Sequence, residues 1–154
     1  MISLESLRVM PCQVSDVDRI FDLEQRATSY GWSRSDLASS VASDHHCYKL
    51  ARKGQILGHC VVQLIGAEME ILNIVIDRDL QGMGYGTFLI DSVLRLGRYR
   101  LVTEVWLEVR ESNLGARKLY GQLGFIQSGI RKNYYRHAKG RENAVMICRS
   151  SDLS

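Results

Sequence analysis

Proline is almost missing: Pro11 alone among 154 residues leaves neither a proline-rich linker nor a collagen-like tract. Long apolar runs are missing too. No stretch reaches the roughly eighteen consecutive apolar residues of a membrane-spanning helix. The opening MISLESLRVMPCQ lacks the charged leader and apolar core of a secretory signal. The four cysteines, Cys12, Cys47, Cys60 and Cys148, stand far apart with no C-x-x-C pair, so neither a zinc framework nor a redox motif is legible. A reducing cytoplasm suits them best. Charge of one sign is also scarce. Twenty basic against 17 acidic side chains leave +3, without the large basic excess of an obligate nucleic-acid binder. What is present is ordinary: 45% hydrophobic and 24% charged residues, enough to build a real core. The expectation is a soluble, cytoplasmic protein with one domain over residues 1–154.

The hydrophobic pattern sets the element order. Leu7 to Met10 is a short strand, stopped by Pro11. Ser15, Asp16 and Asp18 then mark a helix start, followed by Val17, Ile20, Phe21 and Glu24 at helical spacing. Ser33 with Asp36 three residues on opens a second helix. Cys47–Arg52, Ile56–Ile65 and Met69–Ile76 read as a meander with turns at Lys53-Gly54 and Gly66-Ala67. The third of these strands is almost continuously apolar, as a strand covered on both faces would be, and is expected mid-sheet. A helix from Tyr85 to about Gly97, a strand Glu104–Val109 and a helix Asn113–Leu123 follow. Phe125–Ile130 and Ala144–Cys148 close the sheet, with Arg131–Asn143 read as a long basic and aromatic loop. A helix joining two strands at this length implies that they pair in parallel.

The strongest local feature is Gln81-Gly82-Met83-Gly84-Tyr85-Gly86, between the buried strand and the next helix. Glycines there let the backbone approach a ligand closely, and N–H groups at a helix start favour a phosphate. The alternative is a loop that needs positive φ angles and binds nothing. A dinucleotide fingerprint G-x-G-x-x-G would need glycine at 87 or 89, where Thr87 and Leu89 stand. A P-loop would need a lysine after the glycines, and none follows.

What remains, Q-x-x-G-x-G between strand and helix, resembles the acetyl-CoA pyrophosphate loop of the GNAT family of N-acetyltransferases. The resemblance implies an α/β protein with the GNAT acyl-CoA N-acyltransferase fold: a mixed central sheet, antiparallel in its N-terminal half, with flanking helices. It implies acetyl-CoA as co-substrate, its phosphates on the backbone of Gly82, Met83, Gly84, Tyr85, Gly86 and Thr87. The preceding strand would be bulged and splayed, and Ile74, Val75 and Ile76 would present N–H groups to the thioester. The family usually has Arg or Lys directly after the first Gln, and Gly82 stands there instead. Coenzyme affinity is the property this departure bears on.

In Val105-Trp106-Leu107-Glu108-Val109-Arg110 the period-two alternation puts Trp106, Glu108 and Arg110 on one face. A carboxylate at the end of an apolar strand is either half of an ion pair, with Arg110 or another cation, or a working group. Tyr120, on the next helix, is on spacing alone better read as a core aromatic. The run Trp106–Asn113, with Ala116, Leu119-Tyr120 and Leu123-Gly124-Phe125, resembles one branch of the family, the ribosomal-protein-alanine N-acetyltransferases. Glu24-Gln25-Arg26-Ala27 to Trp32-Ser33, and Arg131–Tyr135 with Gly140-Arg141-Glu142, agree with that branch. Gly31 replaces a usual proline and Asn143 a usual aspartate. The resemblance makes Glu108 the general base, Tyr120 the general acid and Asn113 a coenzyme contact. It makes the N-terminal alanine of a small-subunit ribosomal protein the acceptor.

Other readings stay open at this point. The same fold could acetylate lysine or a small amine, or serve as a non-catalytic acyl-CoA- or RNA-binding module. Arg131–Arg141 carries five basic side chains around Tyr134 and Tyr135, which suits RNA stacking, but a solvated loop beside the substrate groove is the favoured reading. His45-His46-Cys47 offers adjacent ligands that point apart, so no metal is expected.

Overall fold

The computed structural model describes residues 6–43, 46–137 and 140–150. Strand β1 (Leu7–Pro11) leads through a short 3₁₀ turn to helices α1 (Val17–Ala27) and α2 (Arg34–Ala42). Strands β2 (His46–Arg52), β3 (Gln55–Ile65) and β4 (Glu68–Ile76) follow as the expected antiparallel meander. Helix α3 (Tyr85–Tyr99) crosses to β5 (Glu104–Arg110), helix α4 (Leu114–Gln122) leads on, and β6 (Ile126–His137) and β7 (Gly140–Ser150) end the sheet. The strand order is β1-β2-β3-β4-β5-β7-β6, with β4 at the centre. Only β4 and β5 pair in parallel among the described strands, which is the consequence of the α3 crossover.

The sheet buries a different core on each face. Ile20 and Leu23 of α1 and Leu37 of α2 pack on Cys47, Ile56, Val61 and Val75. Leu89, Ile90 and Val93 of α3 and Tyr120 of α4 pack on Leu50, Cys60, Val62, Ile71 and Leu107. Successive residues such as Cys60, Val61 and Val62 serve opposite faces, as strand geometry requires. Helix α2 begins where the sequence placed it, because the Ser33 hydroxyl accepts from the Asp36 amide at 3.1 Å.

Two local readings are corrected. The segment 131–143 is not a loop over its described length. It is the outer part of the β6–β7 hairpin, with Tyr135 opposite Glu142 and Arg136 opposite Arg141. A register shift between Arg131 and Tyr135 bulges Lys132–Tyr134 outward, and Asn133 adopts φ +54°. Helix α3 also runs to Tyr99, two residues past Gly97, whose Cα lies so close to β4 that a Cβ would sit 2.9 Å from the Met69 Cε. His45 lies outside the described residues, while the His46 ring stacks on Tyr48. Among the described residues no cluster of three or more His, Cys, Asp or Glu is arranged to hold a metal. No helix among them is long and apolar enough to cross a membrane.

Candidate active site

The site originates in a fault in the central strand. Asn73 pairs with Val61 and Ile71 with Val62, so Leu72 is the extra residue of a β-bulge. A bulge bends the strand and re-aims its backbone groups. On its other edge β4 pairs with β5 from Glu68↔Glu104 to Ile71↔Leu107, where the pairing ends. The strands fork at the bulge, and a cavity of about 430 Å³ lies in the fork. Ile74, Val75 and Ile76 line one arm, and Glu108, Val109 and Arg110 line the other.

Both proton-transfer candidates reach this cavity, as does Asn113. The Glu108 side chain is only 11% exposed, and its Oε1 lies 2.9 Å from the Nε of Arg131 on β6. Of the cations open to it in sequence, Glu108 pairs with Arg131, while Arg110 pairs with Glu142 at 3.0 Å. Glu70, near Glu108, has its carboxyl pKa raised by burial and by the Glu108 charge, against an opposing effect of Arg131. Tyr120 is buried, with its ring edge-on to Phe125 at 5.6 Å. Burial pushes its phenol pKa up, with Cys60 and Tyr135 acting in the same direction, so the hydroxyl is protonated at neutral pH. Tyr120 is thus both a core aromatic and a wall of the cavity. Asn113 caps α4 through its Oδ1, which accepts from the Ala116 amide at 3.2 Å.

The glycine loop lies at the exposed start of α3; Gln81 at its head lines that cavity, and Gly82–Gly86 stand outside it. Gly82 and Gly84 hold φ of +77° and +94°, a conformation that L side chains avoid. Phe88 N–H donates to the Gly84 carbonyl at 3.1 Å, so the amides of Tyr85, Gly86 and Thr87 precede the first helical hydrogen bond of α3. The Tyr85 side chain turns inward and accepts from Arg52 at 3.0 Å, which leaves its backbone as the part available to a ligand. Gln81 Nε2 donates to the Ile76 carbonyl at 3.1 Å and ties the loop to the end of β4. Left-handed glycines followed by a free helix start suit the phosphates of acetyl-CoA.

A second wall comes from the α1–α2 loop, where Tyr30, Gly31 and Trp32 line the cavity. The Arg110 guanidinium lies 3.6 Å from the centre of the Tyr30 ring and 4.5 Å from that of Tyr135. It bridges the loop to the β6–β7 hairpin. Behind the loop is an interior charge contact that the sequence pattern did not single out. Glu24 and His59 are both essentially unexposed, with His59 Nε2 3.0 Å from Glu24 Oε1. Burial opposes charge on His59, but Cys47 and Glu24 outweigh it and raise its pKa. The signal in the sequence was Glu24 itself, a carboxylate on the apolar stripe of α1 with Val17 and Ile20.

The chain is similar to several named acetyltransferases. A bS18-alanine N-acetyltransferase of Haemophilus influenzae is 37% identical over 136 residues, covering 88% of this chain and 92% of that protein. The Escherichia coli K12 enzyme of the same name is 33% identical over 135 residues, covering 88% and 91%. The crystal structure of the ribosomal-protein-S18-alanine N-acetyltransferase from Escherichia coli superposes with a TM-score of 0.89 at 30% identity, covering 96% of each chain. The acetyltransferase (GNAT) family model matches residues 17–125. With a family model matched over residues 17–125 and relatives of 33% and 37% identity over most of its length, the chain belongs to the acetyltransferase (GNAT) family, whose members use acetyl-CoA.

Proposed function

We propose that this protein transfers the acetyl group of acetyl-CoA to a protein N-terminal α-amine, that of the alanine at the start of ribosomal protein bS18, in the cytoplasm. The observation that carries the reading is the cavity in the β4–β5 fork, which Glu108 and Tyr120 both line. The names of the relatives at 33% and 37% identity supply the acceptor.

Acetyl-CoA supplies an acyl thioester, which an amine attacks only in its neutral form. Glu108 takes the proton from the acceptor, directly or through water, and Tyr120 gives one to the departing thiolate. A tyrosine hydroxyl holds its proton at neutral pH, and the burial of Tyr120 raises its pKa further. Gly82, Met83, Gly84, Tyr85, Gly86 and Thr87 hold the phosphates by their backbone, Ile74–Ile76 line the thioester arm, and Asn113 contacts the coenzyme near α4. An α-amine has a reference pKa of about 7.7 to 8.0 against about 10.4 for lysine, a gap worth roughly 3.4 kcal/mol. An N-terminal acceptor therefore asks less of the base. Holding both substrates in one cavity removes much of the entropic barrier as well.

The test is thiol release from acetyl-CoA in the presence of a peptide with the N-terminal sequence of bS18. Release that depends on the peptide supports the reading. Release no faster than hydrolysis without peptide contradicts it.

A further inference from the structure

The Glu24 carboxylate of α1 collects groups from three other parts of the fold. Its Oε2 accepts from the Trp32 amide at 3.2 Å, and its Oε1 accepts from the Asn73 side-chain amide while lying 3.0 Å from His59 Nε2. Trp32 belongs to the α1–α2 loop, Asn73 is the first residue after the bulged Leu72, and His59 lies on β3. The loop backbone rests on the same carboxylate: a Cβ at Gly31 would stand 2.8 Å from Oε2. Both the loop and the strand beyond the bulge line the cavity.

A carboxylate with no exposed surface is costly to bury unless it is paired and hydrogen-bonded. His59 Nε2 stands 3.0 Å from that carboxylate, and Cys47 and Glu24 together raise the His59 pKa against its burial; the Cys12 thiol lies 3.2 Å from Cys47, and Cys60 is next along β3. A neutral core at this position would be simpler to build. What the charge adds is an acceptor-only group that takes two donors from opposite walls at once, which an alkyl side chain cannot do and an amide does only by turning its own NH₂ toward one of them.

We infer that Glu24, held in the interior by His59, is a positioning residue that fixes the α1–α2 loop against the post-bulge strand and so sets the width of the pocket for the first residues of the acceptor chain. This rests on the acceptor reading given above. Glu24 acts through Trp32 and Asn73 and takes no part in proton transfer.

The experiment separates charge balance from positioning. Glu24→Ala leaves His59 without its carboxylate neighbour, so the decisive protein is the double variant Glu24→Ala/His59→Phe, in which both members of the pair are gone. The expected result is a protein that still folds and melts cooperatively, an acceptor-peptide KM raised at least tenfold, a kcat within threefold, and an acetyl-CoA Kd within twofold. Hydrogen exchange of peptides covering residues 28–33 should also be at least tenfold faster than in the wild type. An acceptor KM and an exchange rate both within twofold of wild type would overturn the inference and leave Glu24 as a charge balance for His59. A rise in acetyl-CoA Kd equal to the rise in acceptor KM would overturn it too. Glu24→Gln is the second variant, should the double one fail to fold. It keeps the shape and one acceptor oxygen, and an unchanged KM and exchange rate there refute the role. Should the wild type fail to acetylate the alanine peptide, the acceptor reading fails, and the exchange measurement still decides what Glu24 does.

Discussion

Replacing Glu108 with Gln removes a negative charge and a base while leaving the shape of the fork unchanged. Gln can still accept from Arg131 Nε, now 2.9 Å from Glu108 Oε1. The lost ionic component involves an arginine that is 48% exposed, so the expected cost in stability is under about 1 kcal/mol. The effect on turnover should be far larger. A positioned general base contributes about 10²- to 10⁴-fold, which corresponds to about 2.7 to 5.4 kcal/mol at about 1.36 kcal/mol per decade. Coenzyme affinity should hold within twofold, because the Gly82–Thr87 loop proposed to hold the phosphates stands outside the cavity that Glu108 lines, and Gln keeps the shape of Glu108 beside Ile74–Ile76 and Asn113. The assay is steady-state thiol release with an alanine-starting peptide, paired with calorimetry of acetyl-CoA binding. Its pH dependence adds a sign. The acceptor amine is mostly neutral above a pKa of about 8, so the deficit of the variant should shrink as pH rises from 7 to 9. A kcat within threefold of wild type at pH 7 would refute the role of Glu108 as base, and a constant deficit across that pH range would refute the proton-removal step.

Three further outcomes follow from the same structure. Tyr120→Phe keeps the ring against Phe125 and loses only the hydroxyl, so kcat should fall by about 10²-fold or more with little change in melting temperature; an undiminished rate would make Tyr120 a packing residue alone. Gly84→Val forces a β-branched side chain onto φ +94° and should weaken acetyl-CoA binding at least tenfold by calorimetry, whereas an unchanged Kd would contradict the phosphate loop. Acid should destabilise the fold through two aspartates. Burial works against charge on Asp16, but the Lys49 ammonium at 2.8 Å and the Gln13 amide outweigh it; at Asp77 the Asp79 amide and the Arg26 and Arg19 guanidinium groups do the same, so both pKa values lie below the ordinary 3.8. Their stabilisation is complete above that value and is lost as pH falls through the lowered ones. The denaturation midpoint should therefore drop as pH is taken from about 4 towards 2, and a flat midpoint would show that these pairs do not hold the fold.

Much of the frame could be read from the chain because one physical rule dominated each part. Met69–Ile76 had to be central because a strand covered on both faces cannot alternate, and it lies fourth of seven. Gly82 and Gly84 read as a loop that needs left-handed backbone, and both have positive φ. Ser33 and Asp36 announced the start of α2 through a local hydrogen bond. The rest depended on partners distant in sequence. The outer hairpin was read as a loop because β6 is an edge strand, exposed along most of its length, so burial imposes no alternation on residues such as Arg131–Tyr134. Nothing local in β4 marks Leu72 as the bulged residue; the extra residue exists only relative to Val61 and Val62 on β3. The choice of Arg131 rather than Arg110 as partner of Glu108 likewise follows from the placement of β6, and the Glu24–His59 contact from the packing of α1 on β3.

The most direct test of the central claim is to locate the acetyl group. The protein would be incubated with acetyl-CoA and two peptides, one with a free N-terminal alanine and no lysine, the other with a blocked N-terminus and a free lysine, and the products sequenced by fragment-ion mass spectrometry. The account predicts acetyl on the α-amine of the first peptide and none on the second. Acetyl on lysine alone would keep the fold and overturn the acceptor, and acetyl on neither peptide would contradict transfer to a protein N-terminus.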